Sequence, residues 1–166
     1  MANDFIGKEV SHMGNPYHIG VIGAGECSDV TYGLARNMGY EIGKRGWFLI
    51  CGGLGGVMEG AARGCSEAGG MIVGILPGLN KGSANPYVSV PVTTGLGDGR
   101  NLLVVRASDA LIAIAGGYGT LSEIALALKA GKPVIGLETW RDIKGIHYVS
   151  DPHEAMEMAV QVLEEA

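Results

Sequence analysis

The sequence predicts a doubly wound α/β fold: one Rossmann-like domain built on a mostly parallel sheet. Three observations predict it. Short apolar runs without polar alternation recur along the chain, the pattern of strands buried on both faces. Stretches with helical spacing separate those runs. Glycine is abundant, at 29 of 166 residues, and several apolar runs end in glycine clusters. The usual share of glycine is only ~7%.

Residues 1–17 are polar and irregular and read as a leader, so the expected domain is 18–166. The run His18-Ile19-Gly20-Val21-Ile22-Gly23 reads as the first strand. Ser28 to Arg45 reads as a helix with Tyr32, Ala35, Met38 and Ile42 on one face, and Gly46 stops it. Residues 47–51 (WFLIC) form the second strand, closed by Gly52-Gly53. Gly56 to Ala68 is the second helix, ended by Gly69-Gly70. Residues 71–76 (MIVGIL) are the third strand, and Pro77-Gly78 signals a turn.

Residues 77–87 are the one long loop expected. Val88 to Val92 reads as a strand near a sheet edge, because Pro91 cannot donate to a central ladder. A short helix follows over Gly99–Ala107, then a strand over Ala110–Ala115. Thr120–Ala130 is a helix and Pro133–Leu137 a strand. The final helix, Pro152–Glu165, has Asp151 as N-cap, Pro152 at its first position and Glu154 at its third.

Composition excludes several classes. There is no G-X-Y period, so the glycines are not collagenous. With 47% hydrophobic and 17% charged residues the chain is not disordered. No secretory signal and no apolar run of about 18 residues is present, so no membrane partner is expected. Three cysteines without C-x-x-C spacing suit a cytoplasmic location. No metal site is expected from them or from the four histidines. A net charge of −5 argues against nucleic acid as a partner.

Three glycine clusters stand where strands end: Gly23-Ala24-Gly25, Gly52-Gly53-Leu54-Gly55-Gly56 and Gly116-Gly117-Tyr118-Gly119. In a doubly wound sheet, ligands bind beyond the carboxyl ends of the strands. Glycine lets backbone N–H groups turn toward a ligand, and the next helix adds unpaired donors and partial positive charge. The clusters therefore predict an anion cradle, most often for phosphate. Part of the glycine content answers equally to ordinary strand-to-helix turns. A dinucleotide fingerprint fails at Ser28, and the Walker pattern is absent.

Two charged residues stand beside the clusters. Arg100 opens its helix, where the dipole opposes a cation, so it is expected to point at an anion or at Glu123. Thr120-x-x-Glu123 has two readings, a capping box or a carboxylate facing the crevice. Met58 is near the crevice or in the core, and Arg106 is expected to pair with Asp109. Leu102–Val105 is apolar all round, so that helix is expected to be buried or to meet a partner chain.

The segment 116–123 (GGYGTLSE) resembles the G-G-x-G-T-x-x-E motif of the Lonely Guy superfamily. Residues 51–58 (CGGLGGVM) resemble its earlier glycine turn, and Arg100 precedes Asp109 by the spacing of the family's functional arginine. The resemblance covers about residues 18–140. It implies one of two activities. Enzymes of the superfamily are nucleoside 5′-monophosphate phosphoribohydrolases, with an Arg and a Glu at the positions of Arg100 and Glu123. A shorter branch, the molybdenum cofactor carrier proteins, binds a pterin phosphate ester. Ala115 replaces the proline usual before Gly-Gly in the enzymes, and residues 124–133 lack their aromatic stretch, which resembles the carriers.

The expected ligand is therefore a phosphate-bearing nucleotide or pterin. The expected binding residues are Gly23, Gly25, Gly52, Gly53, Gly55, Gly56, Met58, Gly116, Gly117, Gly119 and Thr120. Arg100 and Glu123 are the catalytic candidates if turnover occurs. No cofactor is required, the molybdenum cofactor being a possible cargo. The resemblance also implies a homodimer or higher homo-oligomer. A DNA-processing Rossmann protein is a third reading, which the net charge opposes.

Overall fold

The computed structural model describes residues 14–166, so residues 1–13 of the expected leader lie outside the described residues. Residues 14–17 carry no helix or strand. The order is β1 (His18–Gly23), α1 (Asp29–Lys44), β2 (Phe48–Cys51), α2 (Val57–Glu67), β3 (Ile72–Leu76), β4 (Val90–Thr93), α3 (Arg100–Ala107), β5 (Ala110–Ile114), α4 (Tyr118–Lys129), β6 (Val134–Leu137), β7 (Ile146–Val149) and α5 (Pro152–Glu164). Short 3₁₀ turns at Lys81–Ser83 and Gly97–Gly99 lie in the connections.

The seven strands form one sheet in the order β4-β3-β2-β1-β5-β6-β7. Every pairing is parallel. The chain winds outward from β1 through β2 and β3 to β4, then returns through α3 to the other side of β1. The strand order therefore reverses between β1 and β5, which pair over Ile19–Gly23 and Ala110–Ile114.

Alternation along the strands divides the core between the two faces. Ile19, Val21, Ile112 and Ile114 pack with Ala35, Met38 and Ile42 of α1 and with α2 and α5. Ile22, Leu111 and Ala113 pack instead with Val104 and Val105 of α3 and with Ile124 and Ala127 of α4. β5 is buried at every residue, as a central parallel strand requires.

Some glycines serve this packing and not the turns. A Cβ on Gly39 of α1 would strike the Ala61 carbonyl of α2, and one on Gly64 of α2 would strike the Arg36 carbonyl of α1. These helices touch backbone to backbone.

Several expectations are corrected. β7 lacks a sequence signal, because at the sheet edge it buries only Ile146 fully and exposes His147 and Tyr148. The β5 strand stops at Ile114, because Ala115 turns to φ 48°. Arg106 does not pair with Asp109. The Asp109 carboxylate accepts the His18 N–H at 2.7 Å instead, which ties the starts of β1 and β5 together. Two other expectations hold: β4 with Pro91 is at the edge, and the Asp151 side chain caps α5 at the Glu154 N–H.

Candidate functional site

A cleft of about 380 Å³ opens where β1 and β5 diverge. This is the switch point at which open α/β sheets bind ligands. Three of its walls come from the ends of β1, β2 and β5: Gly23, Ala24 and Gly25, then Gly52 and Leu54, then Gly117, Gly119 and Thr120. Val21, Ile22, Met58, Asp98, Arg100, Asn101 and Glu123 complete the lining.

Most of the expected site residues therefore meet. Gly53, Gly55, Gly56 and Gly116 belong to the same turns but are not among the lining residues. Gly56 has φ 62° and sits against the Ala24 and Gly25 backbone, where no side chain fits. Gly116 has φ 104° and faces the Thr120 side chain. Asp98 and Asn101 line the cleft without having been singled out by sequence. Their position flanking Arg100 was the available signal.

The helix starts explain why an anion suits this place. α1 and α5 carry side-chain caps, Ser28 and Asp151. α2, α3 and α4, whose first turns contribute to the lining, carry none. At α2 the Val57 N–H is taken by the Ala24 carbonyl at 2.9 Å. At α4 the N-cap is Gly117, and its first-turn donors face a cleft lined by Gly117, Gly119 and Thr120. Uncapped first-turn N–H groups and the helix dipole favour negative charge.

This geometry corrects the capping-box reading. The helix begins at Tyr118, two residues before Thr120, so Thr120 is inside the first turn. Thr120 packs its side chain on Gly116 and is buried. Glu123 is 8% exposed, so almost all of it is shielded, and it lines the cleft. It is therefore not spent on capping.

Arg100 lines the cleft but is anchored by backbone carbonyls and not by Glu123. Its Nη1 donates to the Gly52 carbonyl at 2.5 Å and to the Ile75 carbonyl at 2.7 Å. Its Nε donates to Asn101 Oδ1 at 2.9 Å. The carbonyl ends of β2 and β3 thus offset the unfavourable helix-start position. Among the described residues Nη2 has no hydrogen-bond partner, and no Arg100–Glu123 ion pair forms. The guanidinium is fixed on one edge and open on the other.

Burial pushes the Glu123 carboxyl up to about 7, while the Arg100 charge pulls it back. Burial also lowers the Arg100 pKa, against the nearby Glu123 charge. The two groups feel each other across the cleft without touching. A carboxyl that titrates near neutrality can either accept or hold a proton there. Met58 is mostly buried and belongs both to the core and to the cleft wall. Beneath the floor, burial pushes the Cys51 thiol up to about 11, so it stays protonated. Among the described residues no group of three or more His, Cys, Asp or Glu side chains could hold a metal. No helix there is long and apolar enough to cross a membrane.

The sheet order and the cleft define a Rossmann-like protein whose candidate site is the topological switch point. The chain belongs to the SLOG cluster4 family, whose model matches residues 16–165. It is 46% identical to an uncharacterized protein of Archaeoglobus fulgidus, over 86% of this chain and 93% of that protein. It is 31% identical to the cytokinin riboside 5′-monophosphate phosphoribohydrolase of Mycobacterium tuberculosis, over 68% of this chain and 65% of that enzyme.

Among solved structures, the molybdenum cofactor binding protein of Rippkaea orientalis superposes with a TM-score of 0.84 at 36% identity, covering 89% of this chain and 98% of that one. The molybdenum cofactor carrier protein of Chlamydomonas reinhardtii gives 0.83 at 35% identity, covering 90% and 99%. The resemblance to the Lonely Guy superfamily and to its carrier-like branch therefore holds. DNA processing protein A of Streptococcus pneumoniae shares the fold alone, at 13% identity and a TM-score of 0.70.

Proposed function

We propose that this protein binds a small phosphomonoester in the cleft between β1 and β5, with a nucleotide- or pterin-like ring, in the manner of a molybdenum cofactor carrier. One observation carries the reading: the uncapped start of α4 and the open edge of Arg100 border one cleft at the switch point. The first supplies N–H donors and the second supplies a full charge, the pairing that phosphate recognition uses. The full-length likeness to two carrier proteins supports the pterin side of the proposal. The three free thiols suit work in the cytoplasm.

The residues divide the task. Gly117, Gly119 and Thr120 present the first-turn amides, and Arg100 Nη2 completes the phosphate's neutralisation. Gly23, Gly25 and Gly52 leave room for the ligand's body, and Met58 gives its ring an apolar surface. The molybdenum cofactor is cargo in this reading, with no further cofactor required.

Glu123 favours a second reading, hydrolysis of a nucleoside 5′-monophosphate. Water adds to the ribose C1′ as the bond to the base breaks, and the base leaves with the bonding electron pair and takes up a proton from solvent. Glu123 takes the water's proton or stabilises the developing oxocarbenium ion, and Arg100 holds the phosphate. A buried carboxyl near neutral pKa is what this step asks for.

Equilibrium binding of a molybdenum cofactor preparation and of AMP, run beside an assay for free base from AMP, separates the readings. Saturable binding without base release supports the carrier. Base release that Glu123→Gln abolishes supports the hydrolase. Absence of binding and of release removes both.

The third proposed element is self-association. Leu102 and Leu103 of α3 are exposed, while Val104 and Val105 face the core. A homodimer would cover the exposed half of that helix.

A further inference from the structure

The segment between β6 and β7 lies outside the cleft lining, yet two of its side chains grip the turn before α4. Thr139 Oγ donates to the Ala115 carbonyl at 2.6 Å. Trp140 Nε1 donates to the Gly117 carbonyl at 3.1 Å. Thr139 is buried, so its bond is shielded from water. Ala115 has φ 48°, a left-handed conformation that a non-glycine residue adopts only when its surroundings hold it there.

The holding segment is itself braced. The Tyr148 hydroxyl of β7 donates to the Trp140 carbonyl at 2.7 Å and accepts the Ile143 N–H at 3.2 Å. The Arg141 guanidinium lies 5.9 Å from the Tyr148 ring centroid. The Tyr118 and Trp140 rings meet at 5.8 Å. An edge strand with no place in the cleft thus fixes a loop that fixes the turn.

Peptide planarity gives this arrangement a consequence. In a trans peptide the C=O and the following N–H point in opposite directions. The Ala115 carbonyl accepts from the loop after β6, and the Gly117 carbonyl accepts both from that loop and from the Leu121 N–H of α4 at 3.0 Å. The Gly116 and Tyr118 N–H groups therefore point away from their own peptide carbonyls, and the orientation of the turn into α4 is set with them. Gly117, Gly119 and Thr120 of that turn and the first turn of α4 line the cleft.

We infer that Thr139 and Trp140 are positioning residues, which hold the Ala115 and Gly117 carbonyls and so set the turn from which α4 presents its first-turn amides to the phosphate. The inference rests on the phosphomonoester reading above. It assigns a task to residues that touch no ligand. It also explains why the turn stays open without a capping side chain: the loop after β6 fixes its shape from behind.

The test compares wild type with Thr139→Val, Thr139→Ser and Trp140→Phe in the full chain, well below each variant's thermal midpoint. AMP affinity is measured by calorimetry. The Gly116 and Tyr118 amide resonances are recorded with and without AMP. Thr139→Val and Trp140→Phe are expected to weaken AMP about tenfold, a loss of about 1.4 kcal/mol. Thr139→Ser keeps the donor and is expected to stay near wild type. Both amide resonances are expected to move in Thr139→Val before any AMP is added, and to stay in place in Thr139→Ser.

Unchanged AMP affinity in Thr139→Val and Trp140→Phe overturns the inference. So does an equal loss in Thr139→Ser, which would mean that shape and not the hydroxyl matters. If wild type binds no AMP, the reading of the cleft for nucleotides fails. The ligand-free resonances then decide alone: unmoved amides in Thr139→Val overturn the positioning role, and shifted ones sustain it.

Discussion

Glu123 is a buried ionisable group in the wall of the cleft. Its carboxyl is raised from an ordinary 4.5 to about 7 by burial, and that shift has two consequences of known sign. Between these values the folded state holds a proton that the unfolded state has lost. Stability therefore falls as pH rises from about 4.5 to 7, then levels. Glu123→Gln removes the slope, and at pH 8 it is expected to gain roughly 3 kcal/mol at most. Denaturant midpoints at pH 5 and pH 8 check this. A slope unchanged in the variant would show that Glu123 is not the group responsible. For binding, the carboxylate that forms above pH 7 repels a phosphate dianion. AMP affinity is expected to fall through that range in wild type and not in Glu123→Gln. The sequence left Glu123 between cap and crevice because T-x-x-E spacing fits both. Only the helix start at Tyr118 separates them. The same holds for Arg100: its place beside the glycine turns was legible, whereas its bonds to Gly52 and Ile75 were not. Those partners are 48 and 25 residues away in sequence.

At the scale of elements, the pairing of α1 with α2 explains glycines that the turns do not. Gly64 meets the Arg36 backbone directly, whereas Gly33 of α1 has nothing within 4 Å of an added Cβ. Gly64→Ala is expected to cost about 1–3 kcal/mol through overpacking. Gly33→Ala is expected to gain about 0.5–1 kcal/mol from helix propensity. Opposite shifts in thermal midpoint would confirm that backbone contact, and not glycine content as such, sets the first value. Equal shifts would refute it. Buried strands were readable as continuous apolar runs, as in Ala110–Ile114, and amphipathic helices by a spacing that repeats over several turns, as in Asp29–Lys44. β7 was not, since Ile146-His147-Tyr148-Val149 buries too little to leave a pattern. Contacts between helix backbones leave only glycine as a trace, and glycine in this chain already had turns to explain it.

For the whole molecule, the order β4-β3-β2-β1-β5-β6-β7 decides where function can reside. It brings glycine turns from three distant parts of the chain to one opening. It also leaves an apolar margin: Leu79, Val90, Val92, Leu96, Leu102 and Leu103 are exposed on β4, on α3 and in the segments beside them. Covering that margin with a second copy predicts a dimer by light scattering, and Leu102→Glu with Leu103→Glu is expected to yield monomers. A monomeric wild type would contradict the dimer without touching the cleft. The cleft is tested most directly by titrating AMP, adenosine and a molybdenum cofactor preparation into wild type and Arg100→Ala at neutral pH. Saturable binding of AMP or the cofactor is predicted, with adenosine silent and Arg100→Ala weakened at least tenfold. No saturable binding of either phosphate ester, or binding that ignores both the phosphate and Arg100, would contradict the account.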